Sequence, residues 1–229
     1  MSFSVVGLQI LRQDPATCLL NGRELMRKTT RCPRAQIGGS AAGVRNVTDV
    51  IVPADMCVGC GVCAGICPHN SLEMRMHNGQ YMPVLIGWCA PHCHMCLTSC
   101  PFYDHDDDPN DLAGIRFGRG PEMHYDPIIG YWLDCHIGHS EVDGHRQNGA
   151  SGGVATWLLE RLLTTREIDR VVAVRPRAGD DGPLFQMAIL TSVEEVRNAA
   201  SSRYYPVELS QVLRHIRTDQ EDSRYVIVG

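Results

Sequence analysis

Nothing in this 229-residue chain approaches the run of roughly 18 apolar residues that a membrane helix needs. The opening MSFSVVGLQILRQD lacks a basic stretch followed by a long apolar one, so it is not a secretory signal. Aromatic residues are few, at 6%, and positive charge does not dominate, since the net charge is −5. Nothing global therefore points to nucleic acid. A hydrophobic fraction of 44% with 21% charged residues excludes a disordered or fibrous chain and is enough for a buried core.

What the chain has is cysteine, 11 in all, eight of them in two tight groups that each end in Cys-Pro. Secreted disulfide frameworks are usually shorter and even-numbered. This distribution predicts metal ligation in a reducing compartment such as the cytoplasm.

The first group is CVGCGVCAGICP, residues 57–68: Cys57-x2-Cys60-x2-Cys63-x3-Cys67-Pro68. It matches the bacterial ferredoxin run, in which thiolates hold a cubane and the fourth cysteine serves the other cluster. Three close ligands wrap one corner of a cube, Gly59 and Gly61 let the backbone approach, and the proline turns the chain toward a second site. The second group is Cys89-x3-Cys93-x2-Cys96-x3-Cys100-Pro101, one residue longer before Cys93, where Pro91 and His92 are expected to bulge. The crossed scheme assigns Cys57, Cys60, Cys63 and Cys100 to one 4Fe–4S cluster. It assigns Cys67, Cys89, Cys93 and Cys96 to the other. The insertion leaves a 3Fe–4S or labile second cluster as the alternative. Zinc also takes four thiolates, but its sites use paired C-x2-C knuckles. His92 and His94 read as surface residues, Met74, Met76 and Met82 as packing, and Cys18 and Cys32 as thiols outside the clusters. Cys135, His136 and His139 offer only three ligands in one stretch and read as incidental.

The domain organisation expected is an extension over 1–50, a ferredoxin-type module over 51–102, an acidic linker over 103–127 and an α/β region over 128–229. The extension carries seven basic and three acidic side chains. Asp14 and Glu24 argue against an organelle transit peptide. Within the module, Leu72, Met74 and Met76 alternate as in a strand, and Asn78-Gly79 predicts a hairpin turn. In the α/β region, Val154, Ala155, Leu158, Leu159 and Leu162 recur at helical spacing. VVAV (171–174), QMAIL (186–190) and YVIV (225–228) read as strands. Thr191 and Glu194 predict a capping box, and Leu209, Val212, Leu213 and Ile216 line one face of a last helix. The fold class is α+β: a dicluster ferredoxin-like module, then an α/β domain, expected to be incomplete because the chain stops one residue after a strand; the resemblance described below implies that this domain is flavin-binding.

HRQNGASGGVATWLLERLL, residues 145–163, sets glycines before an amphipathic helix. Backbone N–H groups there suit an anion, although the pattern is neither G-x-G-x-x-G nor a Walker loop. Turn geometry alone is the equal rival.

The order of parts resembles the beta-subunit family of coenzyme F-420 hydrogenases and dehydrogenases. The dicluster motif, RQNGASGGVATWLLERLL, IDRVVAV and TSVEEVRNAASSRYYPV carry the resemblance, over about residues 50–229. It implies FAD on the α/β domain, with Arg146, Gly149, Ser151, Gly152 and Gly153 as flavin contacts and Ser202, Arg203 and Tyr204 as a second patch. It implies an oxidoreductase subunit relaying electrons between a hydride-exchanging flavin and two 4Fe–4S clusters. The partners implied are coenzyme F-420 or another hydride donor or acceptor, and ferredoxin or a redox subunit. The Gly-x-Pro-Cys-Gln stretch that follows YVIVG in the family is absent, hence the expectation of a truncated chain. Two rivals stand beside this reading. One is an electron-transfer module without its own flavin chemistry; the other is a zinc-stabilised interaction domain.

Overall fold

The computed structural model describes residues 46–228 apart from 104–108, 119, 121, 143, 178, 180 and 181. Cys18, Cys32 and the first 45 residues lie outside the described residues, as do residues 104–108 of the acidic run.

Asn46 opens the described fold. Its side chain accepts from the Thr48 N–H at 2.8 Å, while the Asp49 carboxylate accepts from the Asn46 N–H at 2.9 Å. This reciprocal cap starts helix α1 (Val47–Val50). Val47 and Ile51 are buried with Ala64, Leu72, Cys96 and Leu97 in one apolar core. Among the described residues, the ferredoxin-type core therefore takes in Val47 as well as Ile51, ahead of the first cysteine.

Helix α2 (Val62–Ile66) follows the first three cysteines, and helix α3 (Met95–Thr98) lies inside the second group. Between them, β1 (Leu72–His77) pairs antiparallel with β2 (Gln80–Leu85), Leu72 opposite Leu85 and His77 opposite Gln80. Asn78 and Gly79 both take positive φ at the turn, as their pairing predicts.

The stretch expected as a linker is partly ordered. Pro109 starts helix α4 (Pro109–Phe117), with Asp111 in its first turn and Arg116 in its last. That charge order suits the helix dipole, and proline fits a first helical position. Strands β3 (His124–Asp126) and β4 (Gly130–Trp132) form a second hairpin. Local acidity hid this helix in the sequence.

The remaining elements are α5 (His145–Asn148), α6 (Val154–Thr164), β5 (Arg170–Pro176), β6 (Phe185–Leu190), α7 (Val193–Asn198), α8 (Ser210–Thr218) and β7 (Tyr225–Ile227). The sheet runs β6-β5-β7, with β6 antiparallel and β7 parallel to β5. Val171 and Val172 of the central strand and Leu190 of β6 are buried, and Leu159, Leu162 and Val196 of the helices cover the sheet. Burying each such side chain contributes about 1.5–3 kcal/mol. The exposed Arg224–Asp169 pair at 3.0 Å, which ties the start of β7 to β5, is screened by solvent and adds little. The apolar layer therefore decides this half of the fold. The capping box forms one residue later than Thr191 and Glu194 suggest. Ser192 is the cap and accepts from the Glu195 N–H at 3.2 Å. Glu195 returns to the Ser192 N–H and also takes the Thr191 N–H at 2.8 Å. TSVEE permits both registers, and the later one turns Val196 into the core.

The connection from β6 to β7 carries α7, which packs on the sheet, and then α8. Helix α8 lies against α2 of the ferredoxin-type module, so the two halves share an interface rather than a tether.

Candidate functional site

The eight clustered cysteines fall into two spatial sets. Cys57, Cys60, Cys63 and Cys100 line one hollow together with Val47, Ile51, Met74, Pro83 and Phe102. Cys67 leaves its own run. It acts electrostatically on Cys89 and on Cys96, as Cys93 does. The chain thus brings together the two sets that the crossed ferredoxin scheme names. The two sets also adjoin, since Cys96 bears on Cys63.

Burial pushes the Cys63 thiol up to about 12, with Cys60, Cys96 and Cys57 adding to the rise and the Ala64 N–H opposing it. Burial likewise pushes Cys96 up to about 11, against a backbone hydrogen bond from Val47, with Cys89, Cys93 and Cys67 adding. Cys89 is raised for the same reasons. Thiols crowded this way keep their protons until a cationic centre compensates them, so ligation here releases protons. Among the described residues, no three His, Cys, Asp or Glu side chains group as a single-ion site would require.

The local structure explains how the sulfurs are placed. Cys57 and Cys60 sit on the loop before α2, Cys63 on its first turn and Cys67 at its C-cap. The Ser71 N–H donates to Cys67 Sγ at 3.4 Å, and the Ser71 hydroxyl donates to the Trp88 carbonyl, linking the two cysteine runs. Pro91 and His92 form an exposed turn, His92 at φ 64°, and the Cys93 N–H closes it onto the Ala90 carbonyl at 3.1 Å. The extra residue is absorbed as a bulge. His94 is half-buried at the start of α3, Met74 and Met82 are half-buried, and Met76 is exposed. Cys135, His136 and His139 lie on an exposed stretch, where His136 faces Asp134 at 4.0 Å and His139 faces Glu141 at 3.9 Å.

The sequence shows helix α8 as an amphipathic stretch, but its contact with the cysteine loops was missed. The Leu209 N–H donates to the Cys60 carbonyl at 2.9 Å. Arg214 donates to the carbonyls of Ala64 (3.3 Å) and Leu72 (2.6 Å). Arg217 donates to those of Ile66 (3.2 Å) and Cys67, and to Asn70 Oδ1 at 2.9 Å. Close approach depends on glycine: a β-carbon on Gly65 would lie 2.6 Å from Leu213 Cβ. Two arginines three residues apart beside an apolar stripe were the signal available.

At the glycine patch the backbone of neighbouring turns comes close. Gly153 begins α6 at φ 68°, and a β-carbon there would overlap the His145 carbonyl. One on Gly152 would lie 2.6 Å from the Gly138 carbonyl oxygen. Internal packing therefore accounts for both glycines. Beside them His145 is buried, its Nε2 3.1 Å from Glu160 Oε2 but out of line for a hydrogen bond. Arg197 donates twice to Glu160, at 2.8 Å each, and this holds the Glu160 carboxyl below its usual range. Gly144, His145, Asn148, Thr156, Arg197 and Ala200 line a second hollow. Arg146 and Ser151 are exposed beside it along the chain, and Gly149 is half-buried as the C-cap of α5. Ser202 is exposed. Arg203 lies over the Phe185 ring at 5.7 Å, and Tyr204 is 99% exposed.

Residues 135–214 match the family model "Coenzyme F420 hydrogenase/dehydrogenase, beta subunit N-term", and residues 50–73 match a 4Fe-4S binding domain. The second cysteine group lies outside both matches. An uncharacterised ferredoxin of Methanocaldococcus jannaschii is 33% identical over 54 residues, 23% of this chain and 69% of that protein. A chain of the F420-reducing [NiFe] hydrogenase complex from Methanosarcina barkeri aligns with a TM-score of 0.30 and 21% identity, over 37% of this chain. The aligned part spans only 28% of that hydrogenase chain. Among the described residues no helix is long and apolar enough to cross a membrane. With a ferredoxin-type 4Fe–4S module folded against the region that matches the beta-subunit N-terminal model, the chain is an iron–sulfur electron-transfer module related to the coenzyme F-420 hydrogenase beta subunit.

Proposed function

We propose that this chain binds two 4Fe–4S clusters and FAD, and relays electrons between hydride chemistry at one end and single-electron partners at the other. Coenzyme F-420 or a similar carrier supplies or accepts the hydride. Ferredoxin or a redox partner subunit exchanges the single electrons, in a reducing compartment such as the cytoplasm. The observation that carries this reading is the partition of eight thiols into two adjoining sets of four.

Cys57, Cys60, Cys63 and Cys100 would hold one cluster, and Cys67, Cys89, Cys93 and Cys96 the other. Such clusters store and pass one electron at a time, and FAD converts a hydride into two such electrons. The chain's own part is positioning and shielding. Val47, Ile51, Met74 and Pro83 screen the first set from water. The Ser71 N–H bonds the Cys67 sulfur, which stabilises added negative charge there. Arg146, Gly149, Ser151, Gly152 and Gly153, with Ser202, Arg203 and Tyr204, would hold the flavin. The exposed guanidinium of Arg146, the Ser151 hydroxyl and the Tyr204 ring suit such contacts.

The internal packing of Gly152 and Gly153 favours a second reading, an electron-transfer module without flavin chemistry of its own. Absorbance and iron analysis of anaerobically purified protein separate the two. Structured flavin bands with about eight irons per chain support the first reading. A cluster shoulder alone supports the second. A colourless, iron-free chain carrying zinc overturns both.

A further inference from the structure

Helix α8 touches both cysteine sets, and its two ends carry opposite charge. At its start the Leu209 N–H holds the Cys60 carbonyl, and the Glu208 carboxylate accepts from the Ser210 N–H at 2.6 Å. Glu208 packs directly against Gly61, in the loop between Cys60 and Cys63. Toward its end Arg217 grips the carbonyls of Ile66 and Cys67 and the Asn70 side chain. Among the described residues, the acceptors of Arg214 and Arg217 are all neutral oxygens. The Arg217 charge is therefore not cancelled by a carboxylate. Guanidinium stays charged throughout the physiological range.

We propose that α8 sets the two cluster potentials apart. Glu208 makes the cluster on Cys57, Cys60, Cys63 and Cys100 harder to reduce. Arg217 makes the cluster on Cys67, Cys89, Cys93 and Cys96 easier to reduce. The inference rests on the two-cluster reading above. Its physical basis is simple: reduction adds one negative charge to a cluster, which a nearby cation stabilises and a nearby anion opposes. Arg217 also positions Cys67, the one ligand that the first run gives to the second set, by fixing the carbonyls on either side of it. An added electron therefore rests on the second cluster, and α8, part of the β6–β7 crossover, ties that bias to the α/β half.

The test is a potentiometric titration followed by low-temperature paramagnetic resonance on the iron-replete full chain. Cys63→Ser and Cys96→Ser assign the two signals. At fixed potential, Arg217→Gln is expected to lower the reduced-to-oxidised ratio of the second cluster on the order of tenfold. Arg217→Lys should restore most of it, and the first cluster should not move. Glu208→Gln, which keeps the Ser210 acceptor, should raise the same ratio for the first cluster. Loss of iron in Arg217→Gln that Arg217→Lys prevents also supports the assignment. The inference is overturned if iron-replete Arg217→Gln shifts neither cluster or both alike, if both Arg217 variants lose iron equally, or if Glu208→Gln leaves the first cluster unmoved. If Cys96→Ser removes no iron, the two-cluster reading itself falls. If it removes about half while the Arg217 variants match wild type, only the role of α8 falls.

Discussion

The backbone N–H of Leu209 donates to the carbonyl oxygen of Cys60 at 2.9 Å. That bond joins the last helix of the α/β half to the first cysteine loop. It makes the ferredoxin-type module and the family region one packed unit at this point, so changes on either side of the joint should be felt on the other.

Gly65→Ala tests the joint. The added methyl would lie 2.6 Å from Leu213 Cβ, which cannot swing away because it is fixed to the helix backbone. The expected cost is about 1–3 kcal/mol, the usual range for overpacking. Thermal unfolding should fall, and hydrogen exchange should quicken in α8 as well as in α2. Wild-type exchange in α8 would show that the two helices do not depend on each other.

Cysteine variants should sort by space rather than by sequence. Cys63→Ser combined with Cys100→Ser should lose about four irons, no more than either alone, because both serve one cubane. Cys63→Ser combined with Cys67→Ser should lose about eight. Iron counts after anaerobic reconstitution decide it, and a larger loss from the first pair than from the second would refute the crossed arrangement.

Asp219 gives a pH dependence. The Tyr225 hydroxyl donates to Asp219 at 2.6 Å and, as the largest influence, holds the carboxyl at about 2, below its ordinary value. A folded pKa below the unfolded one gives stability that is present above about pH 4 and is lost as the pH falls toward 2. Tyr225→Phe should let Asp219 protonate at higher pH. Acid unfolding of the iron-free chain, followed by circular dichroism, should then have its midpoint at higher pH than wild type. An unchanged midpoint would show that the bond contributes nothing.

Gly153→Ala separates packing from cofactor contact. Its φ of 68° and the overlap with the His145 carbonyl make the substitution destabilising by more than about 1 kcal/mol even without flavin. Melting of flavin-free protein is the measurement. An unaltered melt with lost flavin affinity would return this glycine to a purely ligand-facing role.

Glu160→Gln should loosen the contact between α6 and α7. The Glu160 carboxylate takes both Arg197 bonds at 2.8 Å and faces buried His145. Losing the charged acceptor should cost about 1–3 kcal/mol. A double-mutant cycle with Arg197→Gln should recover much of that as coupling. Simple additivity would show that the pair is independent.

The sequence determined the chemistry by itself, because ligand type and ligand spacing are local properties. Cys57 to Cys67 announce the 4Fe–4S module that residues 50–73 match, Asn78-Gly79 announces its hairpin, and the apolar stripe of α6 is written at helical period. Short-range signals also misled where two registers were equally good, as at TSVEE, and where acidity masked a helix, as at Pro109–Phe117. Only the tertiary structure decided that Asn46, Val47 and Ile51 belong to the ferredoxin-type core, and that Gly152 and Gly153 answer to neighbouring backbone. It alone carried α8 across to the cysteine loops. Arg217 reaches a carbonyl 150 residues earlier in the chain. A contact at that separation leaves no periodicity to read, because it exists only once both halves have folded and met.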